Sequence, residues 1–216
     1  MKRTHPAFTM LELTIVLIVV GILAALVVPR MERDRTQEAI DNVLSAIRYT
    51  KHLALMDNKH EFNNASWQRK FWQIQFESCA NDTGMFYTIG SDEDEGGDID
   101  RDEAAVDPVS GQPYFWRNTS KCTNGGDGTA SPNIFLTKLY GVTSVSGSGG
   151  CNNIQYIGFD HLGRPHINFS TSTDPSSDNL MYDPCIFTFT VKGSDSFQIR
   201  IEPETGFISV VGKEDL

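Results

Sequence analysis

Apolar residues are distributed very unevenly along this chain. Residues 8–28 (FTMLELTIVLIVVGILAALVV) are almost continuously apolar, and Glu12 is the one charged residue among them. Because about 20 apolar residues suffice for a helix to cross a bilayer, the pattern predicts a transmembrane helix over Phe8–Val28. The preceding residues, Met1–Ala7, form a short leader that carries Lys2 and Arg3.

The helix is predicted to continue beyond the apolar run, through residues 29–57. Ile40, Val43 and Ile47 recur there at helical spacing among charged residues, which is typical of an amphipathic helix with one buried stripe. Proline removes a backbone donor and clashes with the preceding turn, so we expect a kink or local melting at Pro29.

The remaining residues, 58–216, predict a β-rich globular part. Alternating or apolar runs indicate strands at Phe71–Glu77, Met85–Ile89, Ile154–Phe159, Pro165–Phe169, Cys185–Val191, Phe197–Ile201 and Phe207–Val211. The polar, turn-rich stretches 90–113 and 141–153 are predicted as loops. We therefore expect an α+β fold in which one long N-terminal helix, with a membrane half and an amphipathic half, packs on an antiparallel sheet.

The start of the chain resembles a known processing signal. Residues Ala7–Leu13 (AFTMLEL) are similar to the cleavage and methylation signal of type IV prepilins and of the pseudopilins of type II secretion, and Gly21 and Pro29 lie where that family has a glycine and a proline. The resemblance implies that a prepilin peptidase cuts between Ala7 and Phe8 and methylates the new Phe8 amine. The family usually has glycine before the cut, but alanine is small enough for a narrow protease subsite.

The resemblance also implies a role for Glu12. A carboxylate inside an apolar helix costs about 2.5–3.5 kcal/mol on insertion scales, and in this family it would meet the Phe8 amine of a neighbouring subunit and fix the axial register. Two plainer explanations compete with this one. A secretory signal would end in a small-residue cleavage site, which Val28–Glu32 does not offer, and an ordinary single-pass anchor leaves Glu12 unexplained.

The strand-rich end, Ile154–Val211, resembles minor pseudopilins of the GspH/FimT type through its Asp160–Arg164 and Pro203–Gly206 turns. This implies a structural subunit of a type II secretion pseudopilus, located in the inner membrane with its globular part in the periplasm. Its partners would be other pilin or pseudopilin subunits, prepilin peptidase and the inner-membrane assembly platform. The alternatives are a minor pilin of a type IV pilus, serving adhesion or DNA uptake, and a non-polymerising membrane-anchored binding module.

Charge and motif content narrow these functions. The formal net charge is −10, from 18 basic and 28 acidic residues, and removal of Lys2 and Arg3 would make it −12. Because nonspecific nucleic-acid binding depends on basic residues, DNA uptake is disfavoured and nucleic acid is not an expected partner. Neither a Ser-His-Asp set nor a phosphate-binding or dinucleotide-binding motif occurs, so we do not expect an enzyme.

The four cysteines predict disulfides. Their spacing is wide and lacks a Cys-x-x-Cys pair, which argues against zinc, whereas an oxidising compartment would allow two disulfides in three alternative pairings. The cysteines are Cys79, Cys122, Cys151 and Cys185. Cys151 and Cys185 flank a predicted pair of strands, which favours a bond between these two.

An acidic run at residues 92–103 fits a calcium loop in part. Calcium takes six to eight oxygen ligands, and the run would supply them from Asp92, Asp94, Asp98 (its backbone carbonyl), Asp100 and Glu103. Gly97 occupies the sharp-turn position, but Gly96 replaces the third side-chain ligand and flanking amphipathic helices are not evident. The alternative is a solvated acidic loop.

Two histidines, His161 and His166, flank the glycine of the Asp160–Arg164 turn. With Asp160 they could form a metal site, but histidines next to a hairpin turn are expected to be surface residues. We therefore predict a structural turn at this position.

Overall fold

The computed structural model describes residues 9–80, 84–117, 119, 121–122, 128–174 and 179–212, with the side chains of residues 24–34 outside that set. Within it the chain forms α1 (Met10–Met56) and α2 (Leu136–Tyr140), with short 3-10 helices at Trp67–Lys70 and Pro132–Ile134. The strands are β1 (Trp72–Ser78), β2 (Met85–Gly90), β3 (Val142–Gly149), β4 (Tyr156–Phe159), β5 (Pro165–His166), β6 (Cys185–Val191), β7 (Phe197–Ile201) and β8 (Ile208–Val210).

The strands pair into two four-stranded antiparallel sheets. The first has the order β2-β1-β4-β5 and the second the order β3-β6-β7-β8. In the first sheet Ile74 of β1 lies opposite Ile89 of β2 on one side and Ile157 of β4 on the other. In the second, Phe187 of β6 lies opposite Ile199 of β7.

Alternation along the strands builds the core between these elements. In β6 the side chains of Cys185, Phe187, Phe189 and Val191 are buried, with less buried residues between them. The ring of Phe76 in β1 lies 5.3 Å from the rings of both Phe187 and Phe189, so the two sheets share one core. Edge-to-face contacts of this kind add to the burial of apolar area.

The second part of α1 packs against this core through one stripe. Ala39, Val43 and Ile47 are fully buried at helical spacing and belong to the same hydrophobic cluster as the sheets. Near the end of the helix the Lys51 ammonium donates to the carbonyl oxygens of Thr205, at 2.8 Å, and Gly206, at 3.1 Å. This fixes the helix to the turn between β7 and β8.

The predicted fold class is wrong. The strands form two antiparallel sheets rather than one, in a mixed arrangement with the helices. The described apolar stretch of α1, Met10–Leu23, is short and exposed and does not pack on either sheet. Among the described residues, no helix combines the length and the apolar character needed to cross a membrane.

Several predicted boundaries also need correction. The stretch 141–153 contains strand β3, which pairs with β6 along its length. The strand expected at Pro165–Phe169 ends at His166. The chain around Pro29 stays within the helical run of α1, so the local melting expected there does not appear.

Candidate functional site

The first turn of α1 is capped by side chains. Thr9 has an extended backbone conformation, and its hydroxyl oxygen accepts from the backbone N–H of Glu12 at 3.2 Å. This is the geometry of a helix N-cap, which satisfies one of the free amides of the first turn. The Glu12 carboxylate in that turn also interacts favourably with the positive end of the helix dipole.

The stretch Met10–Leu23 exposes every one of its side chains. Leu11 is 71% exposed, Ile18 62% and Leu23 55%, values that contrast with the buried stripe farther along the same helix. An exposed apolar surface of this extent marks an interaction site or a membrane contact. A helix that is apolar on all sides needs partners on all sides.

The predicted processing and assembly residues fall partly within this stretch. Glu12 is exposed, and no basic side chain among the described residues contacts its carboxylate. Around Gly21 an added Cβ would meet no atom within 4 Å. Ala7 and Phe8, and the side chain of Pro29, lie outside the described residues.

The acidic loop brings together three of the five predicted calcium ligands. Carboxylate oxygens of Asp92, Asp94 and Glu103 lie within 4.8 Å of one another. Asp98 and Asp100 do not belong to that group of described residues, so the predicted ligand set forms only in part.

Backbone amides already occupy these carboxylates. Asp92 accepts from the N–H groups of Gly96 and Gly97, both at 2.9 Å. Glu103 accepts from the N–H groups of Glu93 at 2.7 Å and Asp100 at 2.9 Å. Burial raises the pKa of Asp92, and the Glu103 charge adds to that increase. Through these hydrogen bonds Asp92 and Glu103 hold the backbone of the loop in place.

Both disulfides are present, and they use all four cysteines. Cys79 is joined to Cys122. Cys151 is joined to Cys185, which confirms the bond expected across the predicted strand pair. Disulfides persist in oxidising compartments and are rare in the cytosol. The two bonds are therefore compatible with an extracytoplasmic location of the globular part.

The turn between β4 and β5 differs from its prediction. His166 is 1% exposed and is not a surface residue. Its Nε2 lies 3.2 Å from Oδ2 of Asp160, which is also buried. The sequence offered no signal for this burial, because it depends on the ring of Phe71, centred 4.5 Å from the imidazole.

A groove beside α1 was not foreseen from the sequence at all. Its volume is about 550 Å³, and four tyrosines line it: Tyr49, Tyr87, Tyr114 and Tyr140. These residues are far apart along the chain and share no motif. Tyr49 lies in α1, Tyr87 in β2 and Tyr140 in α2, whereas Tyr114 lies in the segment after β2, so only the fold brings the four together.

Comparisons with known proteins give no relative. No protein-family model, no curated protein and no solved structure matches the chain. The prepilin resemblance thus remains a prediction that depends on the residues of the N-terminal segment.

Proposed function

We propose that this chain is a minor pseudopilin-like structural subunit of a type II secretion pseudopilus, processed by prepilin peptidase and assembled through its N-terminal helix. The observation that carries the proposal is the exposed apolar surface of Met10–Leu23 with Glu12 in its first turn. An apolar helix that projects from a folded, disulfide-bonded domain is suited to association with identical or similar helices.

Packing energy for such an assembly comes from side chains on every face of the helix. In an apolar environment, helices associate through van der Waals contact and through polar groups that find partners. Leu13, Leu17 and Val20 lie on one face and are each at least half exposed. Neighbouring helices in a filament would cover this face together with the opposite one.

Glu12 would set the position of one helix relative to the next. Removing a carboxylate from water costs several kcal/mol unless a positive partner offsets it. The partner in this proposal is the Phe8 amine of a neighbouring subunit, which exists only after cleavage between Ala7 and Phe8. Methylation of that amine keeps its positive charge, so the pair persists.

The location follows the same reasoning. We place the globular part in the periplasm, which agrees with the two disulfides. Before assembly the N-terminal segment would be held at the inner membrane, where the peptidase and the assembly platform act. Cell fractionation tests this placement. Labelling of the reduced cysteines by a thiol-reactive reagent that is confined to the periplasm tests it a second time.

Filament incorporation of a Glu12→Ala variant tests the proposal. We expect the variant to reach the same cellular fraction as the wild type but to be reduced at least about tenfold in isolated filaments, because a buried amine would lose its partner. Glu204→Ala serves as the control, since Glu204 is an exposed acidic residue in the turn before β8. Normal incorporation of Glu12→Ala would contradict the proposal.

Deletion of the gene that encodes this chain distinguishes a subunit of a secretion pseudopilus from a subunit of a surface pilus. Loss of protein secretion with intact surface pili supports the secretion assignment. Loss of surface pili with normal secretion would instead assign the chain to a type IV pilus, which uses the same N-terminal signal.

A further inference from the structure

The tyrosine groove lies along the exposed side of α1. Glu38 and Asp41 form part of its rim and are both exposed, one turn apart on the helix. Pro108 and Val109 also line the groove, and Val109 is 89% exposed. The groove is therefore open to solvent and mixes apolar and acidic surface.

Three of the tyrosine rings are adjacent. The ring centroid of Tyr114 lies 5.7 Å from that of Tyr49 and 6.1 Å from that of Tyr87, the latter pair being stacked. Aromatic faces carry negative potential and attract cations within about 6 Å of the ring centre. Tyr87 is only 1% exposed and supports the cluster from within the core, whereas Tyr49 and Tyr114 are partly exposed. The rings of Tyr49 and Tyr114 thus offer a surface for a planar or alkyl-linked cation.

The charged side chains that line the groove are all acidic in the part of the chain that the structure describes. Its described lining includes three carboxylates, Glu38, Asp41 and Asp107, and none of its lining residues in that set is basic. Asp107 is fully buried and accepts from Val109 N–H at 2.9 Å and from the Ser131 hydroxyl at 2.6 Å. Asp107 thus acts as a fixed negative charge in the wall, while the two rim carboxylates remain accessible.

The tyrosines stay neutral in this field. Burial raises the pKa of Tyr114, and the Asp107 charge raises it further. Burial and the Glu38 charge raise the pKa of Tyr140 in the same way. The hydroxyls therefore stay protonated, and the rings contribute their aromatic faces, not a charge, to the attraction of a cation.

We propose that this groove binds a lysine or arginine side chain of a partner polypeptide. The rim carboxylates would pair with the charged group, the partly exposed rings of Tyr49 and Tyr114 would contact it, and Pro108 and Val109 would cover the alkyl stem. The negative potential disfavours an anionic ligand, and a neutral one would make no use of the carboxylates. This inference is independent of filament assembly, because the groove is on the globular part.

Tyrosine-selective NMR of the full chain in a non-ionic detergent tests the proposal. The chain has six tyrosines, of which Tyr156 and Tyr182 do not line the groove and serve as internal references. The probe is a capped Gly-Arg-Gly peptide, compared with a Gly-citrulline-Gly peptide that has the same shape without the charge. We expect saturable shifts of the groove tyrosines with the arginine peptide at millimolar concentration.

Matched double variants establish the charge requirement. Glu38→Gln with Asp41→Asn should weaken binding about fivefold, the effect of two partly exposed ion pairs. Asp195→Asn with Glu204→Gln removes the same charge from exposed positions outside the groove lining and should leave affinity within about twofold. Equal binding of the citrulline peptide, equal effects of the two double variants, or an absence of saturable shifts would each overturn the proposal.

Discussion

Nε2 of His166 lies 3.2 Å from Oδ2 of Asp160, and both side chains are only 2% exposed. The same carboxylate accepts from the backbone N–H groups of Leu162 and Arg164 and from the Arg164 guanidinium. A buried carboxylate is costly unless several donors offset its desolvation. The turn between β4 and β5 is therefore organised around Asp160.

Replacing Asp160 with asparagine should destabilise the fold substantially. The buried imidazole and the guanidinium would lose a charged acceptor, at a cost of about 2–4 kcal/mol. Urea unfolding of the full chain with intact disulfides measures the free energy of unfolding. Asp195→Asn, at an exposed position, should change it by less than about 0.5 kcal/mol. Equal stabilities of the two variants would contradict this role of Asp160.

The free energy of unfolding should decrease in acid because Asp160 becomes protonated. Burial alone would raise the pKa of Asp160, but hydrogen bonds from His166 and Arg164 outweigh it and hold the pKa well below its usual range. Because the folded-state pKa is below the unfolded value of about 3.9, the contribution is complete above about pH 5 and is lost as the pH falls through the folded-state pKa. The pH dependence of the free energy of unfolding should be shallower in Asp160→Asn than in the wild type, and identical slopes would exclude this explanation.

The turn before β8 should not tolerate a side chain at Gly206. An added Cβ would lie 2.2 Å from the carbonyl oxygen of Gly163, and the positive φ of 57° adds strain. Gly212 has a φ of 79° with no atom near its Cβ position, so Gly212→Ala measures the conformational cost alone, about 1–2 kcal/mol. We expect Gly206→Ala to lower the free energy of unfolding clearly further. Equal effects would show that the two turns do not pack as described.

Removing one disulfide should cost about 4 kcal/mol of the free energy of unfolding. Cys151 and Cys185 are both fully buried and 34 residues apart. A crosslink of this span restricts the unfolded chain. Denaturant unfolding of the Cys151→Ala, Cys185→Ala double variant under non-reducing conditions measures the loss. Unchanged stability would mean that the bond does not form in the mature protein.

Local patterns predicted individual elements better than their assembly. The alternation of β6 and β7 is clear in the sequence, and both strands occur at the predicted residues. The sequence of strand β3, VTSVSGSG, predicts a loop, because glycine has a low strand propensity. Pairing with β6 stabilises the strand nonetheless.

The two-sheet arrangement depends on contacts between distant residues. Strand β1 pairs not only with its neighbour β2 but also with β4, so that Trp72 lies opposite Phe159. No periodicity along the chain encodes this pairing. The same limitation applies to the site, since Glu12 and the apolar run were evident in the sequence whereas the tyrosine groove and the burial of His166 required the fold.

The mass of the N-terminal peptide tests the central claim most directly. Protein recovered from cells that contain prepilin peptidase should begin at Phe8 and carry one added methyl group, whereas cells without the peptidase should yield the chain with Met1–Ala7 retained. Exchange of Ala7 for glycine, the residue that the family usually has there, should leave processing intact. A chain that keeps Met1–Ala7 in cells with an active peptidase would contradict the proposed function.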